Sequence, residues 1–216
     1  MARDIDTSRF GSIQFRLQTP AGDAAAELPM TGGHNLMNAL AASAVATALK
    51  IKPELIAEAL SSARPPKMRG EVTDFAAGFT VVDDSYNSNP LSLISMVRTV
   101  AEARANVKRR LVIAGEMLEL GPDAAAMHRQ VGREIAHLGI DVLWGVRGLG
   151  SEIVAGAQEA GIGAARFFES ADEAAAAVIH EIGEGDLILV KGSRSVETDK
   201  AVRAIKQAFP MAGTDR

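Results

Sequence analysis

A chain of 216 residues, 47% hydrophobic and 23% charged, has the composition of a folded globular protein and the length for one large core or two modest ones. Its formal net charge of −4 argues against a dedicated nucleic-acid binder, which normally carries a basic surplus. The absence of cysteine excludes disulfides, thiolate nucleophiles and Cys-ligated zinc, and fits a reducing compartment.

The opening MARDIDTSRF has no apolar signal-peptide core, and no apolar run approaches the roughly 20 residues of a membrane span. The expectation is a soluble cytoplasmic protein with no membrane partner. Residues 12–30 read as a β-hairpin, with Ile13, Phe15 and Leu17 alternating with polar residues before TPAGD turns the chain toward Ala24–Leu28. From His34 to Lys50 the spacing predicts a helix with Leu36, Met37, Leu40, Ala44, Val45 and Ala48 on one face. Pro53 suits the first turn of a second short helix, to about Ser62. The stretch ARPPKMRGE, 63–71, reads as a linker, because consecutive prolines cannot extend a helix.

Beyond the linker, apolar strand-like runs at Thr80–Val82, Leu111–Ala114, Val142–Val146, Arg166–Phe168 and Leu187–Val190 alternate with helical stretches near 90–105, 123–138, 150–160, 171–182 and 196–208. That alternation predicts an α/β doubly wound, Rossmann-like domain with a mainly parallel sheet, over 64–216. Residues 1–63 are too short and sheet-poor for a complete domain, and read as the hairpin-plus-helices end of something larger. The basic run Lys108-Arg109-Arg110 reads as a solvated helix-to-strand connection.

In open α/β sheets ligands bind beyond the carboxyl ends of the strands. Three of these ends are unusually polar: DDSYNSN after Val82, GEMLELG after Ala114 and KGSRS after Val190. Each has a plain structural alternative, since Asp and Asn are common turn residues and Ser85 or Asn89 would cap a helix opened by Pro90. KGSRS offers a basic pair suited to an anion, because Arg binds a carboxylate with two prongs. GVRGLG and ESAD are what ordinary turns and helix caps supply. No G-x-x-x-x-G-K-[ST] loop is present, since Gly-Lys occurs nowhere, and the four histidines lack zinc-site spacing. His128 falls on a predicted helix, and His137 and His180 at helix ends.

GGHNLMNALAA (32–42), DDSYNSNP (83–90), GEMLELG (115–121) with MHRQVG (127–132), and VKGSRS (190–195) occur in that order. Together they resemble the C-terminal portion of the Mur ligases, and within them the branch that adds D-alanyl-D-alanine. The resemblance covers essentially the whole chain. It implies that 1–63 is the last part of a central ATP-binding domain and 64–216 a C-terminal Rossmann-like domain. The phosphate-binding loop, the magnesium ligands and the UDP-sugar domain would then lie upstream of Met1. Ser88 and Glu116 depart from the pattern, which usually has Ala and Asp there.

The implied activity is ATP- and Mg2+-dependent amide-bond formation between UDP-MurNAc-tripeptide and D-Ala-D-Ala in peptidoglycan precursor synthesis, with this chain inactive alone and no catalytic residue assigned within it. By the same resemblance Asn38 contacts adenine, while His34 and Asn35 shape the start of that helix. Arg69 reaches the nucleotide phosphates, Asp84 binds the ribose hydroxyls, and Tyr86 and Asn87 flank the nucleotide. Lys191, Ser193 and Arg194 face the dipeptide or the transferring phosphate. The loop after Val82 would close over the nucleoside. Two other readings stay open: a freestanding non-catalytic α/β module that binds a nucleotide or peptide, and an interaction module that docks through residues 1–63.

Overall fold

The computed structural model describes residues 1–103 and 107–213. The chain divides into two compact units, the first Met1–Pro66 and the second beginning at Lys67. That boundary lies three residues beyond the expected one.

In the first unit β1 (Ala2–Asp6), β2 (Ile13–Thr19) and β3 (Gly22–Leu28) form an antiparallel sheet in that order. The hairpin turns at Pro20-Ala21, where the Thr19 hydroxyl donates to the Gly22 carbonyl at 2.9 Å. Ile13, Phe15 and Leu17 of β2 are buried with Ala24, Ala26 and Leu28 of β3, and β1 was missed because ARDID is exposed along almost all its length and carries no apolar alternation. Two helices follow, α1 (Gly33–Ala48) and α2 (Pro53–Ser61), the second opened by Pro53. The core they close contains Leu36, Ala39, Ile56, Ala57 and Leu60.

The buried stripe of α1 is Leu36, Ala39 and Ser43, whereas Met37 and Val45, expected inside, are 65% and 63% exposed. The reason is that α1 is apolar nearly all round, so its periodicity does not select a face. The small side chains Ala39 and Ser43 lie on the side that packs.

The second unit is a six-stranded sheet in the order β4-β5-β9-β6-β7-β8, made by β4 (Glu71–Asp74), β5 (Thr80–Asp84), β6 (Arg109–Gly115), β7 (Val142–Val146), β8 (Ala165–Phe168) and β9 (Asp186–Lys191). All neighbouring pairs are parallel except β4–β5. The four-residue edge strand β4 overlaps the expected linker, and its half-buried EVTD has no apolar run to announce it. Helices α3 (Pro90–Glu102), α4 (Ala124–His137), α5 (Gly150–Glu159) and α6 (Ala171–Glu181) connect the strands, and α7 (Asp199–Ala208) follows the last of them.

Val81, Ile113, Trp144, Ile188 and Val190 share a core with Val178 of α6 and Val202 and Ile205 of α7. Val82, Val112 and Leu189, one step along their strands, therefore point to the other face, where α3 and α5 pack on the sheet and α4 packs against both helices. This doubly wound arrangement is the one the strand-helix alternation predicts. Helices α4 and α5 cross so closely that a Cβ on Gly132 would lie 2.0 Å from the Ile153 carbonyl oxygen, and one on Gly156 2.0 Å from that of Arg129.

The basic run at the start of β6 is paired rather than simply solvated. The Arg109 guanidinium donates to both carboxylate oxygens of the buried Asp186, at 2.9 and 2.6 Å, and Lys108 reaches Glu184 at 2.8 Å. One relation in the sheet matters most for function. The last strand in sequence, β9, is inserted between β5 and β6. The carboxyl ends of these strands, and the three polar loops that follow them, are thereby brought side by side.

Candidate functional site

The DDSYNSNP loop is shaped from its two ends. At the helix end Asn89 and Ser92 cap each other: the Ser92 amide donates to Asn89 Oδ1 at 2.9 Å and the Asn89 amide to Ser92 Oγ at 3.1 Å. Pro90 follows at the first helical position, where its missing N–H costs nothing. At the strand end the buried Asp83 accepts from the Ser85 amide at 3.2 Å and the Ser85 hydroxyl at 2.5 Å. Burial pushes the Asp83 carboxyl above its ordinary value, with the Ser85 hydrogen bonds opposing the shift and Glu71 adding to it.

Asp84 and Lys191 are register partners on adjacent parallel strands. The Lys191 Nζ donates to Asp84 Oδ2 at 2.6 Å and to the Asn87 carbonyl at 2.8 Å. The two side chains are 4% and 14% exposed, Lys191 being the deeper. An ammonium so buried requires a charged partner and further acceptors, and this one has both. Lys191 thus holds the DDSYNSNP loop by a carboxylate and a carbonyl at once.

Tyr86 and Asn87 are exposed beyond this anchor. The Arg69 guanidinium stacks on the Tyr86 ring at 4.0 Å from its centroid, and the Tyr86 amide donates to the Met68 carbonyl at 3.1 Å. Asn87 Oδ1 accepts from the Ser88 amide at 2.8 Å. The Ser88 hydroxyl itself is buried and finds no partner among the described residues, a cost that the usual alanine would not incur.

The KGSRS and GEMLELG loops lock together. Ser193 Oγ accepts from the Leu118 amide at 3.0 Å, and the Ser193 amide donates to the Glu116 carbonyl at 3.3 Å. A Cβ on Gly115 or Gly192 would meet Thr198 Cγ2 at 2.7 or 2.8 Å, so both glycines are needed for the approach. From below, the fully buried His128 accepts from the Met117 amide through Nε2 at 2.8 Å, with Nδ1 2.6 Å from the Ala124 carbonyl. With Nδ1 carrying the proton, both contacts are satisfied. Sequence reasoning placed His128 on a helix without giving it this supporting role. His137 and His180 lie exposed near the ends of their helices.

Arg194 is exposed and pairs with Asp199 at 3.0 Å. The GVRGLG loop, expected to be an ordinary turn, belongs to the same cluster: Glu116 Oε1 accepts from the Leu149 amide at 3.1 Å, and Arg147 donates to the Ser195 carbonyl at 2.6 Å. No strand or helix pattern signals these links, because they join loops that only the sheet order makes neighbours. ESAD does behave as a cap, with Ser170 accepting from the Glu173 amide at 3.2 Å. In the first unit, Asn38 is exposed on α1, and Asn35 donates to the Thr31 carbonyl at 2.8 Å.

The geometry so far is a strand-end cluster bringing together Asp84, Tyr86, Asn87, Lys191, Ser193 and Arg194, with Arg69 stacked at its rim. Residues 68–194 match the family described as Mur ligase, glutamate ligase domain. The chain belongs to the Mur ligase family.

This Mur ligase chain is 32% identical over 208 residues to the UDP-N-acetylmuramoyl-tripeptide–D-alanyl-D-alanine ligase of Escherichia coli (strain K12), covering 95% of this chain and 44% of that protein. It is 36% identical over 214 residues to the protein of the same name from Mycobacterium tuberculosis (strain CDC 1551 / Oshkosh), covering 90% and 42%. A crystal structure of MurF from Acinetobacter baumannii superposes with a TM-score of 0.84 at 28% identity, covering 95% of this chain and 45% of that one. The Mur ligase chain therefore spans less than half the length of these relatives. The resemblance read from the four motifs is borne out.

Proposed function

We propose that the chain is part of an ATP-dependent ligase that joins D-Ala-D-Ala to UDP-MurNAc-tripeptide in the cytoplasm. The observation that carries this reading is the Asp84–Lys191 anchor, which gathers the polar loops of the ligase resemblance at one sheet edge. The names of the relatives from Escherichia coli and Mycobacterium tuberculosis support the same reaction.

In that reaction the terminal carboxylate of the tripeptide attacks the γ-phosphorus of ATP, giving an acyl phosphate and ADP. The dipeptide amine then attacks the acyl carbon and inorganic phosphate leaves, with the amine proton passing to solvent or a base. Within this chain Asp84 would accept a ribose hydroxyl at Oδ1, because Oδ2 is held by Lys191. Tyr86 and Asn87 would line the nucleoside, and Arg69, held over the Tyr86 ring, would face the phosphates. Asn38 would contact adenine through its amide.

Arg194 would bind the dipeptide carboxylate or the transferring phosphate with its fork of donors. Lys191 and Ser193, both buried and hydrogen-bonded to neighbouring loops, would act on that substrate by placing Arg194 and the loop backbone. The reaction's magnesium ion would supply positive charge to the phosphates, and among the described residues no group of three or more acidic or histidine side chains is arranged to hold it. The described residues also contain no helix long and apolar enough to cross a membrane.

The test is an assay of the native protein that carries this chain, with UDP-MurNAc-tripeptide, labelled D-Ala-D-Ala and Mg-ATP. The expected result is ATP-dependent incorporation of the dipeptide, with Asp84→Asn raising the KM for ATP about tenfold, the effect of weakening one charged hydrogen bond. Incorporation of a single amino acid in place of the dipeptide would refute the assignment. So would tight ATP binding by the 216-residue chain alone with no ligation by the native protein; that pair of results would favour a binding module.

A further inference from the structure

Arg147 stands where the chain leaves β7, in a backbone conformation that disfavours any side chain with a Cβ. Its φ is 62° and that of the following Gly148 is 48°, both left-handed. A residue whose work was only to turn the chain would be glycine or asparagine at this position. The main chain of Arg147 is nevertheless held: its amide donates to the Phe168 carbonyl at 2.9 Å, and its carbonyl accepts from the Gly150 amide at 2.8 Å. From this fixed base the guanidinium crosses to the neighbouring loop and donates to the Ser195 carbonyl at 2.6 Å.

The recipient is the short helical turn Arg194–Val196 that follows β9. Inside it the Ser193 and Arg194 carbonyls accept from the Val196 and Glu197 amides, at 2.9 and 3.2 Å. Arg147 supplies a charged donor to the next carbonyl, that of Ser195. The turn is thus held on one side by the Ser193 contacts with the GEMLELG loop and on the other by Arg147. Arg194 opens this turn, with its exposed guanidinium 3.0 Å from Asp199.

We propose that Arg147 is the positioning residue of this turn, fixing the backbone from which Arg194 reaches the anionic end of the dipeptide. The role at the substrate rests on the ligase reading; the hold on the turn does not. Arg147 touches no reacting atom in this scheme and acts through Arg194.

The test uses Arg147→Met, Arg147→Lys and Arg194→Met in the native protein that carries this chain, with amide hydrogen exchange and steady-state kinetics. In Arg147→Met the Val196 and Glu197 amides are expected to exchange about tenfold faster, while amides of β6 and β9 keep their rates. Arg147→Lys, which restores one charged donor, is expected to recover most of that protection. In ligation, Arg147→Met and Arg194→Met should each raise the KM for the dipeptide about tenfold and leave the KM for ATP within about twofold.

Unchanged exchange at Val196 and Glu197 would overturn the proposal, and so would an equal acceleration at β6 and β9, which would mean general destabilisation. A raised KM for the dipeptide in Arg194→Met but not in Arg147→Met would also overturn it. If the wild-type protein does not join the dipeptide at all, the ligase reading fails, and the exchange at the turn still decides whether Arg147 holds it.

Discussion

Lys191 and Asp84 are 107 residues apart in sequence and 2.6 Å apart in space, paired as direct neighbours on two parallel strands. Among the described residues, their contact is the one ion pair that joins the first polar loop to the last. It exists because β9 enters the sheet between β5 and β6.

Removing one partner of so buried a pair leaves the other uncompensated. Lys191→Met is therefore expected to lower the unfolding free energy by about 3 kcal/mol, because Asp84 and the Asn87 carbonyl lose their shared donor. Asp84→Asn introduced together with Lys191→Met should recover part of that loss. Urea denaturation of the wild type, the two single variants and the double variant measures the coupling. Additive effects would mean that the pair carries no net interaction.

Asp83 gives a pH dependence with the opposite sign to the usual acid effect. Burial raises its folded pKa above the ordinary 3.8. Well below that value both states are protonated and Asp83 contributes nothing to the pH dependence. As pH rises past it the unfolded chain ionises first, so stability falls until the folded group ionises too, and then levels off. Asp83→Asn, which keeps an acceptor for Ser85, should remove this decline and match or exceed the wild-type melting temperature at pH 7. Melting curves from pH 4 upward test it; a variant with the wild-type slope would show that another group is responsible.

The crossing of α4 and α5 depends on two glycines that face the opposite helix's backbone. Gly132→Ala and Gly156→Ala would each place a methyl 2.0 Å from a carbonyl oxygen, which no side-chain rotation can relieve. Alanine's better helix propensity contributes about 1 kcal/mol at most, and forcing the helices apart is expected to cost about 3 kcal/mol. A net destabilisation of roughly 2 kcal/mol or more in urea follows for each variant. Gly163→Ala, where a Cβ would meet nothing within 4 Å, serves as the control.

The sequence by itself determined most of the elements, β1 and β4 excepted, and the chemistry of their ends. Alternating apolar residues placed β2 and β3, apolar runs placed the central parallel strands, and Asn89-Pro90 and Ser170 marked the starts of α3 and α6. These signals are local, since they depend on which neighbours share a face and which side chain reaches the next few amides. Motif order was also legible, and with it the Mur ligase family.

What only the tertiary structure decided is which ends meet and which face packs. Lys191 reads as half of a basic pair suited to an anion until the sheet order puts Asp84 and the Asn87 carbonyl against it. Arg147 and Glu116 lie in separate turns until the parallel strands bring their loops within hydrogen-bonding reach of Ser195 and Leu149. The face of α1 could not be chosen from periodicity, because a helix apolar on all sides offers several faces of similar hydrophobicity and packing selects among them. Strand order and the packed face are set by contacts between residues distant in the chain, and no local pattern encodes them.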